Sequence, residues 1–444
     1  MGRPIKSVTI VGGGTSGWIA AAFLSRAMAP ALRDGSMKIT LIESPKIPII
    51  GVGEATSPAL RALFQYLGVN ERVFIRDANV AFKLSGYFEG WNVDAAGNPV
   101  SWFNPFLASP AIAGRSIGYY YNAFGRETAC GARDFSRLVS SGPALIDQRR
   151  GPRRIDDADY QARVPYAYHF DAMEVALQLR DLAKANGVHH ILDDVNEVNL
   201  DDRGFVSSLT LEKNGDHPIE LVIDSTGFAG VIINKALGEP FDQLGHYLPN
   251  DRAAAVQIPH EAPLDIEPVS RATALSSGWR FTVPLYNRIG TGYVFSSQFI
   301  SDDDAITELK AHIGPRVEGK EPRIIRMRIG KSRRSWVNNC VAIGLSSGFA
   351  EPLEATAIHS VDLGVRWLYS HFPDSDFAAP LQNSYNTLVN EFYDEVIDFI
   401  VLHYHLNNRT DSEYWRVARQ EAQIPDSLKQ KLELWRLKCQ APMI

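Results

Sequence analysis

The sequence predicts an α/β fold: a Rossmann-like dinucleotide-binding domain interleaved with a β-rich second domain and followed by a helical C-terminal region. Three observations carry this. A β-branched strand, a Gly12-x-Gly14-x-x-Gly17 turn and an Ala/Leu-rich helix open the chain, and the next strand ends in Glu43. Buried-strand patterns of the same kind return near 219–227 and 340–348. Between them lie short runs that alternate like an antiparallel sheet. The expected parts are a discontinuous dinucleotide-binding domain of 1–89, 160–232 and 323–372, second-domain segments at 90–159 and 233–322, and helices over 373–444.

In chain order, 5–11 (IKSVTIV) is short, apolar and β-branched, which reads as a buried strand. GGGTSG at 12–17 is a turn, and WIAAAFLSRAMA has helix-forming composition. KITLIE at 38–43 is the second strand. Proline and glycine make 44–58 an ordered loop, and 58–68 reads as a helix. Residues 79–89 alternate as one strand, with Val80, Phe82 and Leu84 on one face and Ala81, Lys83 and Ser85 on the other. From 90 to 165 the periodicity is weak, and RRGPRR at 149–154 reads as a solvated loop. Asp171 caps a helix over 171–186, and strands at 188–192, 205–212 and 219–224 read as a meander. Strands at 253–258, 269–275, 279–285 and 291–297 form the antiparallel sheet. A helix over 302–313 opens on three aspartates that suit its dipole. A buried strand at 340–345, a helix at 355–371 and a largely helical tail from 380 complete the chain.

Composition narrows the function classes. With 444 residues and 45% apolar residues, the chain can bury a large core, which argues against a disordered protein. Lys plus Arg is 45 and Asp plus Glu is 51, a net charge of −6 that points to no nucleic-acid partner. Cys130, Cys340 and Cys439 form no metal-ligand spacing, and so sparse a count suits a reducing, cytoplasmic setting. No apolar run reaches the roughly 18 residues of a membrane span. His169 and His359 read as structural, with no triad or ligand partner at a suitable spacing. His403 and His405 are two apart and would face different directions on a helix, so no metal site is expected there.

The glycine turn has specific physics. Gly12 allows the tight turn, Gly14 lets backbone approach a pyrophosphate, and Gly17 lets the helix pack close. The helix start offers free N–H groups and positive dipole to phosphate, and Glu43 can accept from ribose hydroxyls. The motif does not choose between FAD and NAD. Two more strand-to-turn junctions stand out: IDSTGF at 223–228, and CVAIGLSSGFAEPLEATAIHS at 340–360, whose new helix start could hold a small anion.

These stretches, with GVGEATSPALRALFQYLGV (51–69), FK (82–83), YHFDA (168–172), GYVFSSQFISDD (292–303) and LHYHLNNRTDSEYW (402–415), run through nearly the whole chain. In that order the sequence resembles the flavin-dependent halogenases of the tryptophan-halogenase type. The resemblance implies a glutathione-reductase-type FAD domain carrying a substrate domain. It implies that FADH2 from a separate flavin reductase reacts with oxygen to a C4a-hydroperoxide, which halide converts to hypohalous acid. That oxidant would pass through a tunnel to a Lys beside a small aromatic substrate. Lys83 matches that Lys and Glu354 the essential Glu near it. Thr356 and Ala357 match the backbone pair associated with halide. Gly12, Gly14, Thr15, Ser16, Gly17, Glu43, Val195, Leu345 and Ile358 would line FAD. No resident metal is implied, and a homodimer stays open. Lys83, on a strand among apolar and aromatic neighbours, should have a lowered pKa.

The chain departs from the family in three places. Trp279-Arg280-Phe281-Thr282-Val283-Pro284 stands for WxWxIP, and Ala355 replaces Ser in the EST triplet. It is also shorter than typical members, which suggests a thinner substrate lid, an indole- or phenol-like substrate rather than free tryptophan, and bromide preferred to chloride. Two alternatives remain: an FAD-dependent aromatic monooxygenase, favoured by the altered Trp motif, and a non-catalytic flavin-binding redox sensor.

Overall fold

A computed structural model describes residues 2–47, 51–106, 110–125, 135–263, 265–420 and 423–437. Cys130, Cys439 and the end of the tail lie outside the described residues, while Cys340 is a buried free thiol.

The first layer is a six-stranded sheet in the order His189–Leu192, Lys38–Glu43, Ser7–Val11, Leu221–Asp224, Cys340–Ala342, Trp336–Val337. All neighbours are parallel except the last pair. Its inner strands read as nearly continuous apolar runs because both faces are covered. Val8, Ile10, Ile39 and Leu41 face the helices Thr15–Ala27, Ala172–Ala185 and Thr356–Ser370, where Ala20, Ala21 and Ala22 allow close approach. Val11, Ile42, Val222 and Ala342 face a three-stranded sheet of Val195–Leu200, Val206–Leu211 and Gly215–Pro218.

The second layer is a seven-stranded sheet in the order Arg323–Arg326, Arg252–Ile258, Ile289–Phe295, Gly278–Pro284, Ser270–Leu275, Ser85–Val93, Pro99–Pro105. It is antiparallel apart from the parallel pairing of Ser270–Leu275 with Ser85–Val93. Helix Asp302–Ile313, capped by Ser301, buries Ala305, Leu309 and Ile313 against one side. On the other side Trp91 packs on Tyr404 of the long helix Ala379–His405 and on Trp415 of Glu413–Ala418. A small sheet of Glu54–Ala55, Ala167–Phe170 and Ala81–Lys83 adds a third element. Among the described residues no helix is long and apolar enough to cross a membrane.

Three sequence expectations need correction. Residues 79–89 are two strands, not one: Ala81–Lys83 pairs with Ala167–Phe170, and from Ser85 the chain joins the seven-stranded sheet. Both segments satisfy the same alternation, so periodicity could not show the change of partner at Leu84. The supposed meander is also divided. His189–Leu192 and Leu221–Asp224 enter the parallel sheet, and only Val206–Leu211 stays in the outer one. That strand's partners are too polar on their exposed faces to be read. Finally, the RRGPRR loop is not simply solvated. Arg153, with 8% of its side chain exposed, pairs with the fully buried Glu71. Tyr168 Oη also donates to Glu71 over 2.6 Å, as does Tyr160 N–H. A buried carboxylate is tolerated here because several donors meet it.

Candidate active site

The glycine turn is built as its sequence implies. Gly12 has φ +117°, and a Cβ there would fall 2.2 Å from the Ser225 carbonyl oxygen. A Cβ on Gly17 would fall 1.9 Å from Gly12 O, so the helix rests on the turn itself. Gly14 faces open space, with nothing within 4 Å of a Cβ, and it begins the Thr15–Ala27 helix without any side-chain cap. Thr15 and Ser16 form the first turn.

Glu43 folds against this turn. A Cβ on Gly13 would meet its Cδ at 2.1 Å, and its Oε2 lies 2.9 Å from His190 Nε2. Asp193 N–H donates to the Glu43 carbonyl over 3.0 Å, which carries the chain to Val195 at the same strand end. Leu345 lies in the Gly344–Ser346 turn, and a Cβ on Gly344 would fall 2.8 Å from Ser16 Cβ. The 340–360 motif is thereby brought onto the 12–17 motif. Ile358, buried in the first turn of Thr356–Ser370, joins the same core. Asp224 of IDSTGF acts on the backbone instead. Its carboxylate accepts from Thr226, Ile232 and Ile233 backbone N–H and fixes the bend after its strand.

A second cluster forms around Lys83 and Glu354. Lys83 is only 4% exposed, and its ammonium makes no hydrogen bond or ion pair among the described residues. The Phe106 ring lies 5.3 Å from its Nζ. Burial pushes its pKa down to about 8, and the nearby Glu354 charge only partly resists this. Glu354 ends the Pro352–Glu354 turn. Its Oε1 accepts from Asn104 Nδ2 over 2.9 Å and lies 3.0 Å from His403 Nε2. Burial pushes this carboxyl up, but His403, Lys83 and Asn104 together outweigh burial and hold it below its ordinary range. His169, on the strand paired with Ala81–Lys83, is fully buried against Ser270 Oγ at 2.7 Å. Burial and the Lys83 charge hold it near 3, so it stays neutral, in keeping with a structural part.

After Glu354 the backbone turns sharply. Ala355 has φ +56°, a left-handed conformation that costs an L-residue roughly 1–2 kcal/mol. The turn starts the Thr356–Ser370 helix with no side-chain cap, leaving the Thr356 and Ala357 N–H groups without an intrahelical partner. In the altered Trp motif, Trp279 is buried in the seven-stranded sheet, and Phe281 packs so tightly that a Cβ on Gly292 would fall 2.6 Å from its ring. Glu351, at the start of the same turn, is fully buried and held by Asn250 and Tyr404. Burial raises it to about 7.

Nothing in the sequence alone marks Asn104, His190, Glu351 or His403 as site residues. Asn104 lies on a strand with weak periodicity, and His190 lies in a strand that the sequence marks only as part of a meander. His403, two residues from His405, suggests at most a metal ligand in the sequence. Among the described residues no cluster of three His, Cys, Asp or Glu side chains could hold a metal.

Comparison with known proteins places the chain in a family. The family model for tryptophan halogenase matches residues 7–441. A tryptophan 6-halogenase of Streptomyces toxytricini is 37% identical, covering 98% of this chain and 84% of the relative. A tryptophan 7-halogenase of Lentzea aerocolonigenes is 36% identical, covering 98% and 83%. The structure of a tryptophan halogenase from Shewanella frigidimarina superposes with a TM-score of 0.91 at 32% identity, covering 98% of this chain and 84% of that one. A flavin-dependent halogenase from Brevundimonas gives a TM-score of 0.87 at 37% identity, covering 97% and 85%. The chain belongs to the tryptophan halogenase family of flavin-dependent halogenating enzymes.

Proposed function

We propose that the protein halogenates a small indole- or phenol-like aromatic substrate beside Lys83 and Glu354, at a site separate from the flavin. The observation that carries this reading is a buried lysine, without a polar partner among the described residues, set near an ionised carboxylate. Family membership supplies the reaction class.

The glycine turn fits FAD. The open space at Gly14 and the uncapped helix start suit a pyrophosphate, and Glu43 suits ribose hydroxyls. Gly12, Gly14, Thr15, Ser16 and Gly17 would hold the phosphates, with Val195, Leu345 and Ile358 lining the remainder. Delivered as FADH2 by a separate reductase, the cofactor supplies two electrons to dioxygen, and with halide and a proton the products are FAD, hypohalous acid and water. Thr356 and Ala357 N–H would hold the halide at the helix start. Lys83, near its own pKa at neutral pH, either donates a hydrogen bond to the oxidant or carries the halogen as a haloamine. Glu354, kept as a carboxylate, accepts the proton that leaves the aromatic carbon. Bromide is the preferred halide in this reading, because it is easier to oxidise than chloride.

One incubation tests this. FADH2 is regenerated by a reductase in air with a panel of indoles and phenols and, separately, chloride, bromide or iodide, and products are read by mass spectrometry. Halogenated product, with bromide ahead of chloride, is expected. Oxygen insertion without halide would favour the hydroxylase reading. Chloride ahead of bromide would overturn the halide preference, and regiospecific turnover of free tryptophan above all other indoles would overturn the substrate class.

A further inference from the structure

His403 lies in the last turn of the Ala379–His405 helix. Its ring stacks on Phe88, centroids 4.8 Å apart, and meets Phe399 edge-on at 4.9 Å. Only 10% of the side chain is exposed. Its Nδ1 lies 2.7 Å from the Phe399 carbonyl oxygen and its Nε2 3.0 Å from Glu354 Oε1. A carbonyl oxygen only accepts, so Nδ1 carries a hydrogen. A neutral ring would then point a bare Nε2 lone pair at a carboxylate, which has no hydrogen to give. The contact closes only when the pair holds one more proton, as imidazolium with carboxylate or imidazole with carboxylic acid. Asn104 donates to the same Oε1 over 2.9 Å, and the Lys83 charge acts on the same carboxylate. Both favour the ionised acid and therefore the imidazolium. Glu351, buried on the segment before Glu354, adds a second carboxyl whose charge couples to His403. The strand side contributes the apolar ring of Phe88.

We propose that His403 is a positioning residue for halogenation: its imidazolium fixes the Glu354 carboxylate in place and keeps it ionised as the proton acceptor beside Lys83. This rests on the reading of Lys83 and Glu354 given above. Without His403, the one cation acting on Glu354 among the described residues would be Lys83, whose own charge burial disfavours. His403 adds a second cation that hydrogen-bonds the carboxylate directly.

The test uses the full chain with FAD, bromide and indole as the probe, and compares His403→Phe with His403→Gln. His403→Phe keeps an aromatic ring against Phe88 and removes the proton. Its kcat for indole bromination should fall about 10- to 100-fold while KM, FAD affinity and trapped hypobromite stay near wild type. His403→Gln can still donate to Glu354 but carries no charge. It should recover part of the rate, with the acid limb of the kcat–pH profile moved up by about one pH unit, because Glu354 has lost a neighbouring cation. Wild-type kcat and an unmoved pH profile in both variants would overturn the proposal, as would a loss confined to KM or FAD affinity. If His403→Phe fails to fold, the pH profile of His403→Gln decides alone. A parallel Glu354→Gln variant separates the two layers: wild-type bromination by that variant would refute the reading of Glu354 itself.

Discussion

Lys83 is expensive for the fold. Moving a lysine pKa from 10.5 to about 8 costs the folded chain on the order of 3 kcal/mol at neutral pH. The sign follows from proton counts. Between pH 8 and 10.5 the unfolded chain binds more protons at this residue than the folded chain, so the penalty fades as pH rises through that window. Lys83→Met should therefore raise the thermal midpoint by a few degrees at pH 7, with the gain shrinking by pH 10, while abolishing halogenation. Differential scanning calorimetry at the two pH values checks this, and a lower midpoint at pH 7 would show that Lys83 stabilises the fold. The chemistry of Lys83 and Glu354 was not legible in composition or spacing, because the two residues are brought together only by the fold. Resemblance to a family pointed to them. His403 and Asn104 escaped because each joins the site from an element remote in sequence, and nothing local marks either as a partner of Glu354.

At the scale of elements, the glycine turn was the most legible feature, since each glycine answers a backbone requirement within a few residues. Its members should separate by experiment. Gly14→Ala enters open space at an ordinary backbone conformation, φ −75°, so the chain should fold with an unchanged midpoint and lose FAD affinity by at least about tenfold. Gly17→Ala drives a methyl into Gly12 O and should lower the thermal midpoint even without FAD. Flavin fluorescence titration and thermal melts distinguish the two, and equal loss of stability in both would contradict this view of the turn. The Arg153–Glu71 pair is the counterpart that sequence hid. Glu71→Ala leaves Arg153 and two tyrosine hydroxyls short of a buried acceptor and should cost about 3–5 kcal/mol by chemical denaturation. A cost below about 1 kcal/mol would show that water reaches this site.

Across the whole molecule, one apolar core joins the parallel sheet to the antiparallel one. A continuous cluster runs from Val8 and Ile10 through Trp91 and Trp279 to Tyr404 and Trp415. The α/β class and interleaved order were legible because strand and helix periodicities survive over short windows. The partners of 79–89 and 188–224 were not, because a strand pattern states which residues are buried and not against what. A shared core predicts one cooperative thermal transition. Two well-separated transitions would mean that the layers unfold independently. Within that body the proposed halogen transfer to the aromatic ring depends on Lys83. The most direct test is Lys83→Ala with FADH2, oxygen, bromide and indole, reading bromoindole and trapped hypobromite in the same reaction. Bromoindole should fall below about 1% of wild type with hypobromite still released. Bromoindole at the wild-type rate, or loss of hypobromite together with bromoindole, would contradict the claim.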